Sequence, residues 1–236
     1  MRQILFLLSF LLTSIGLEAQ SSSIWLYSQI LKDSIEIIPY QHQSVAANAN
    51  TIYVLDGKKM VSHGFIDTIQ QLENQNLIPK YRYIFVSTLV GKVNPQDKRE
   101  AFFFCNSNYV DFFEQELIPL VEGRKKVDNR YLLSVSFGGL CGSYFATKTD
   151  KFSDYALLSP ITYPCNDILT KIAFSPFKGF KMFLSSGTND AEFYAMPLIQ
   201  SLKAQGHQVQ YHQTDGGHDF ENWMNQLEVV LKFFEE

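Results

Sequence analysis

Three things are scarce in this chain: cysteine, charge of one sign, and long apolar runs. The three cysteines, Cys105, Cys141 and Cys165, show no CxxC or Cys/His ligand spacing, which argues against a metal site. An odd count allows at most one disulfide within the chain, and small buried side chains are the expected role. Lys and Arg number 20 against 24 Asp and Glu, and the resulting net charge of −4 is spread without long like-charge runs. Neither nucleic acid nor an acidic membrane surface is expected as a partner. The most apolar run, Ile4–Leu12, is too short to span a bilayer comfortably. No internal repeat or low-complexity linker divides the chain.

What is present points to one compact unit. With 236 residues, 46% of them hydrophobic, the chain can fill one sizeable core and is too short for two ordinary enzyme domains. Its start differs from the rest: Arg2 supplies a positive charge, Ile4–Leu12 an apolar stretch, and Leu17-Glu18-Ala19 a small-residue end. That pattern predicts a signal peptide over residues 1–19, cleaved before Gln20, and a single domain over 20–236. Cleavage removes Arg2 and Glu18 together, so the net charge is unchanged. The expected location is periplasmic or secreted, without stable membrane insertion; the alternative is a retained N-terminal anchor helix.

From Gln20 onward, short β-branched or aromatic runs alternate with longer amphipathic ones, the pattern of a mostly parallel sheet flanked by helices. Strands are predicted at 34–40, 51–55, 83–87, 131–135, 155–158, 181–185 and 208–212. Several are apolar throughout, as strands covered on both faces should be. Helices are predicted at 61–72, 109–121, 138–148, 191–204 and 220–234. In the second of these, Phe112, Phe113, Leu117 and Leu120 share a stripe read as core packing.

The segment richest in chemical information runs from Tyr131 to Leu140, YLLSVSFGGL, a buried-type strand leading directly into a small-residue helix start. Ser136 stands at the junction. This is the setting of a nucleophile elbow, where a tight strand-to-helix turn lifts a serine hydroxyl out of the sheet and small neighbours let helix and strand approach. Gly138 and Gly139 are those neighbours. The GxSxG pattern is broken by Ser134, which adds a hydroxymethyl group where space is tight. Taken alone, the same residues could simply begin a helix.

The remaining candidates follow in the chain order Ser, then acid, then His. A serine hydroxyl is a weak nucleophile near neutral pH and needs an adjacent base; His218, after the last predicted strand and Gly216-Gly217, is placed for that task. Asp190, reached through Gly187-Thr188-Asn189, is the expected carboxylate partner, with Glu192 and then Asp167 as substitutes. His42, His63, His207 and His212 read as surface or packing residues, and Asp219 as a helix-start residue. The oxyanion formed on attack needs backbone donors: the amide of Phe137, and that of Gly57 or Lys58 in the loop after the strand at 51–55. Asp56-Gly57 reads equally as a plain turn. Phe137 reads equally as a pocket wall and as helix packing.

Taken in order, Tyr53-Val-Leu-Asp-Gly57, Phe113-Glu-Gln-Glu-Leu-Ile-Pro119, Ser136-Phe-Gly-Gly-Leu140, Ser159-Pro160, Ser186-Gly-Thr-Asn-Asp190 and Gly216-Gly-His-Asp-Phe220 resemble the putative-esterase family of α/β-hydrolases. Its members include enterochelin-esterase-like, feruloyl-esterase-like and antigen 85-like proteins. The resemblance implies an α/β-hydrolase fold without a large lid domain, and Ser136, Asp190 and His218 as the triad. Arg99 is similar to an arginine that the family carries before the Glu-Leu-Ile-Pro helix; read on its own, it could equally be a surface ion-pair residue. The implied activity is cleavage of a small-molecule or polysaccharide-linked ester by an acyl-enzyme route that requires no metal or organic cofactor. An acyltransferase or peptidase on the same scaffold shares the first half-reaction. A non-catalytic binding protein is the reading that Ser134 motivates.

Overall fold

The computed structural model describes residues 22–46, 48–123, 127–190 and 192–235. The expected signal peptide lies outside the described residues, as does the side chain of Glu192. Strands β1 (Ile24–Tyr27), β2 (Ser34–Gln41) and β3 (Thr51–Val54) are followed by helices α1 (Gly57–Ser62) and α2 (Phe65–Asn74). Next come β4 (Arg82–Val90), β5 (Gln96–Asp97), α3 (Arg99–Phe103), α4 (Ser107–Phe112), a π-helical turn (Phe113–Leu117) and α5 (Ile118–Glu122). The remainder alternates: β6 (Arg130–Val135), α6 (Phe137–Lys148), β7 (Asp154–Leu158), α7 (Ile168–Ala173), β8 (Lys181–Gly187), α8 (Glu192–Ala204), β9 (Gln208–Thr214), α9 (Phe220–Asn225) and α10 (Leu227–Phe233).

All the strands join one sheet in the order β1-β2-β4-β3-β6-β7-β8-β9, with β5 paired to β4. Contacts from β4 through β3 to β9 are parallel, whereas β1, β2 and β5 pair antiparallel with their neighbours. Alternate residues of each strand feed opposite faces, as the two-residue pleat requires. Tyr53, Leu132, Tyr155 and Leu157 pack under α3, α4, α6, α7 and α8. Ile52, Val54, Leu133, Ala156 and Leu158 pack under α1, α2, α9 and α10. This is the expected α/β-hydrolase layering. With both faces covered, the central strands are buried along nearly their whole length and mostly apolar, and burial of that surface at about 25 cal/mol per Å² is the main stabilising term.

Some boundaries differ from the sequence expectation, each for a physical reason. The helix predicted at 61–72 is two helices, because Gly64 adopts φ 85° between them. The stripe predicted at 109–121 holds for Phe112, Phe113 and Leu117, which are fully buried, but fails at Leu120, which is half exposed. The π-helical turn inserts an extra residue per turn and rotates the face that follows. Cys105 and Cys165 are not isolated core residues: they form a disulfide across 60 residues, leaving Cys141 as the buried free thiol. No helix among the described residues is long and apolar enough to cross a membrane.

Candidate active site

Ser136 stands between β6 and α6 with φ 57° and ψ −123°. This is a sparsely populated region for a residue with a side chain, at a cost of about 1–3 kcal/mol that the surrounding packing must offset. Its amide donates to the Leu158 carbonyl at 2.9 Å, so the turn is held at its start by β7. Close approach of α6 needs glycine at two points. A Cβ on Gly139 would stand 2.8 Å from Pro160, and one on Gly142 would stand 2.5 Å from Leu157 Cδ2 and 3.0 Å from Ser134 Oγ. Gly142 therefore makes the room that Ser134, the departure from GxSxG, takes up. Ser134 is fully buried, and its hydroxyl has no hydrogen-bond partner among the described residues.

His218 and Asp190 come from the loops that follow β9 and β8, two adjacent parallel strands. These loops are tied together: the Thr188 amide donates to the Thr214 carbonyl at 2.8 Å, and that of Asn189 to the Gly216 carbonyl at 2.9 Å. Asn222 Nδ2 donates to the Gly217 carbonyl at 2.8 Å, fixing the histidine loop from α9. In this setting His218 Nδ1 lies 2.7 Å from Asp190 Oδ1, and His218 Nε2 lies 2.8 Å from Ser136 Oγ. The Asp190 side chain is 2% exposed and the His218 side chain 32%, so the carboxylate is buried while the imidazole reaches the surface. Trp223 packs edge-on against the imidazole at 5.2 Å and donates to Ser159 Oγ at 2.9 Å.

The other sequence candidates separate from this line of three. Asp167 is largely exposed and pairs with Lys171 one helical turn on. His63 stacks on Phe220 and His207 on Phe180, His42 bonds to Ser44, and His212 lies against Phe183. Burial pushes the His207 imidazole below its ordinary range. Asp219 caps α9 by accepting from the Asn222 amide.

Asp56 turns the chain out of β3 with a left-handed φ of 56°, and α1 begins at the next residue, so Gly57 and Lys58 open a helix instead of closing a plain turn. Lys58 Nζ lies 3.5 Å from Glu36 Oε1. Phe137 opens α6, where its amide has no intrahelical acceptor. Its half-buried ring packs on Phe104 and Tyr163, and Tyr163 continues to Tyr194 and the largely exposed Phe193. Sequence reasoning left two neighbours out of the site. Arg99 does form an ion pair, but with the buried Asp56, at 2.8 Å and with its own side chain largely covered. The family resemblance at Arg99 and the Asp-Gly pair after a strand were the signals for it.

The family described as "Putative esterase" matches residues 28–234. The chain belongs to this family. No curated protein matches it. Among solved structures, the enterobactin esterase of Shigella flexneri superposes with a TM-score of 0.78 at 19% identity, over 91% of this chain and 59% of the other. A ferulic acid esterase gives 0.72 at 17% identity, over 90% of this chain and 95% of the other. An IroE-like serine hydrolase from Shewanella oneidensis gives 0.70 at 15% identity, over 91% and 79%. At such identities the likeness is one of fold, and the chain spans only 59% of the length of that enterobactin esterase.

Proposed function

We propose that this chain is an exported serine esterase with Ser136 as nucleophile, His218 as general base and Asp190 as the carboxylate that orients it. The observation that carries the reading is the continuous hydrogen-bonded line from Asp190 through His218 to Ser136, at 2.7 and 2.8 Å. The Nδ1–H of His218 donates to Asp190, which leaves Nε2 as an acceptor for the serine proton. Ser136 Oγ attacks the ester carbonyl as its proton passes to Nε2, and the imidazolium then protonates the departing alcohol. Water repeats the sequence on the acyl-enzyme and regenerates the serine. The oxyanion is held by the amide of Phe137 and that of Gly57 or Lys58.

Export is supported by the signal-peptide pattern and by the Cys105–Cys165 disulfide, since such bonds persist in oxidising compartments. One continuous sheet supports a single domain over residues 20–236. The aromatic wall of Phe104, Phe137, Tyr163 and Tyr194 favours a small-molecule or polysaccharide-linked ester bearing a ring. The enterobactin and ferulic acid named for the structural neighbours give the first substrates to try.

The test is hydrolysis of 4-nitrophenyl acetate, methyl ferulate, acetylated xylan and a tri-catecholate siderophore by the wild type and Ser136→Ala. Turnover of at least one ester by the wild type, reduced to background in the variant, is expected. Equal turnover by the two proteins refutes the assignment.

A further inference from the structure

We propose that Arg99, held by Asp56, is a positioning residue that releases the Gly57 amide for the oxyanion by taking that amide's place at the carbonyl of Val135. The inference rests on the serine-esterase reading above and specifies how one of its donors is made available.

Strand register fixes which carbonyl each amide of β3 would meet on β6. Along the parallel pair of β3 and β6, Thr51 donates to the Asn129 carbonyl and Leu55 to the Leu133 carbonyl, each at 3.0 Å. Each donor therefore bonds a carbonyl 78 positions on, and the next member of the series is the Gly57 amide to the Val135 carbonyl. That bond is not made, because Asp56 turns left-handed and carries the chain into α1. A carbonyl left at this buried edge needs another donor. Arg99 Nη2 supplies it at 3.3 Å.

The same guanidinium is fixed on three further sides. Its Nε donates to both carboxylate oxygens of Asp56 at 2.8 Å, and its Nη2 lies 2.8 Å from Asp56 Oδ2. Its Cζ also lies 5.0 Å from the centre of the Phe137 ring and 5.4 Å from that of Phe103. One side chain thus grips the residue before Gly57, the residue before Ser136, and the residue after it. Thr88 Oγ1 adds a longer contact to Asp56 Oδ1 at 3.4 Å. An ion pair buried this deeply is a poor route to stability, because desolvation offsets most of the attraction. A geometric task accounts for its place between the two halves of the oxyanion site. Lysine cannot replace it there, since an ammonium lacks the planar fork needed to hold a carboxylate and a carbonyl together.

The experiment compares wild type, Arg99→Lys, Arg99→Met and Ser136→Ala by kcat and KM for 4-nitrophenyl acetate, by thermal melting, and by affinity for an aryl trifluoromethyl ketone. The hemiketal of that inhibitor places an oxyanion between the donors. Loss of one donor lowers kcat by about 100-fold. Both Arg99 variants are expected to approach that loss, with KM changed less than about threefold and inhibitor affinity falling in parallel with kcat/KM. Arg99→Lys keeps a charge opposite Asp56, so it serves where Arg99→Met does not fold. Wild-type kcat and inhibitor affinity in folded Arg99→Lys overturn the proposal while leaving Ser136 in place. Undiminished activity in Ser136→Ala overturns the underlying reading instead. A lowered melting temperature in both Arg99 variants with unchanged kcat identifies the pair as structural support only, and also overturns it.

Discussion

Replacing Gly57 by alanine asks how rigidly the loop proposed to supply an oxyanion donor is seated. A Cβ at this position would lie 2.4 Å from the Val86 amide nitrogen and 2.5 Å from the Phe85 carbonyl carbon, both backbone atoms of β4. Neither can rotate aside. Ordinary contact begins near 3.4 Å, so loop or strand must shift by the difference, about 1 Å. Overpacking of that kind costs about 1–3 kcal/mol, which for a domain of this size lowers Tm by roughly 2–10 °C. A donor displaced by about 1 Å no longer meets the oxyanion, and kcat should fall by about 100-fold while KM changes little. Steady-state hydrolysis of 4-nitrophenyl acetate and a thermal melt measure both effects. Gly179→Ala is the control: its φ is +79° and its Cβ would meet nothing within 4 Å, so a loss of about 1 kcal/mol with intact kcat is expected. Wild-type kcat and Tm in Gly57→Ala would refute the argument that this loop is fixed against β4 and supplies a donor.

Asp190→Asn should cut kcat by about 10³–10⁴-fold through loss of the required tautomer, and near-normal turnover would move the role to Glu192. Replacing both Cys105 and Cys165 by serine opens a 60-residue loop and should lower stability in urea by about 4 kcal/mol; an unchanged midpoint would show that the bridge does not form. Burial pushes the Glu73 carboxyl up from 4.5 to about 7, against the opposing effects of the Tyr40 hydroxyl and Lys80. Between those values the folded state holds a proton that the unfolded chain has released, so stability falls as pH rises from about 4.5 to about 7, by up to about 3 kcal/mol. Glu73→Gln should flatten that slope in urea titrations, and an unaltered slope would contradict the assignment.

The strands that build the site were readable in the sequence because buried parallel strands are rich in apolar residues on both faces, as in Tyr131–Leu133 and Met182–Leu184. β1 escaped notice as a half-exposed edge strand of four residues, and β5 because it is two polar residues. The π-helical turn leaves no mark on a 3.6-residue pattern. The three side chains that meet, Ser136, Asp190 and His218, could be picked out because each follows a predicted strand, in an order that one fold uses. Arg99 and Asp56 are 43 positions apart, and their meeting depends on a left-handed turn and a short helix that carry no periodic signal. The pairing of Cys105 with Cys165 was equally out of reach, since three cysteines permit any pairing until the loops around Phe137 are placed.

The central claim is that one hydroxyl is activated by His218. Treatment with a fluorophosphonate followed by peptide mapping tests it directly, because only an activated serine is phosphonylated readily. The account predicts a single adduct per chain, on Ser136, and none in His218→Ala. An adduct on another residue, or a folded wild type that takes up no label, would contradict it.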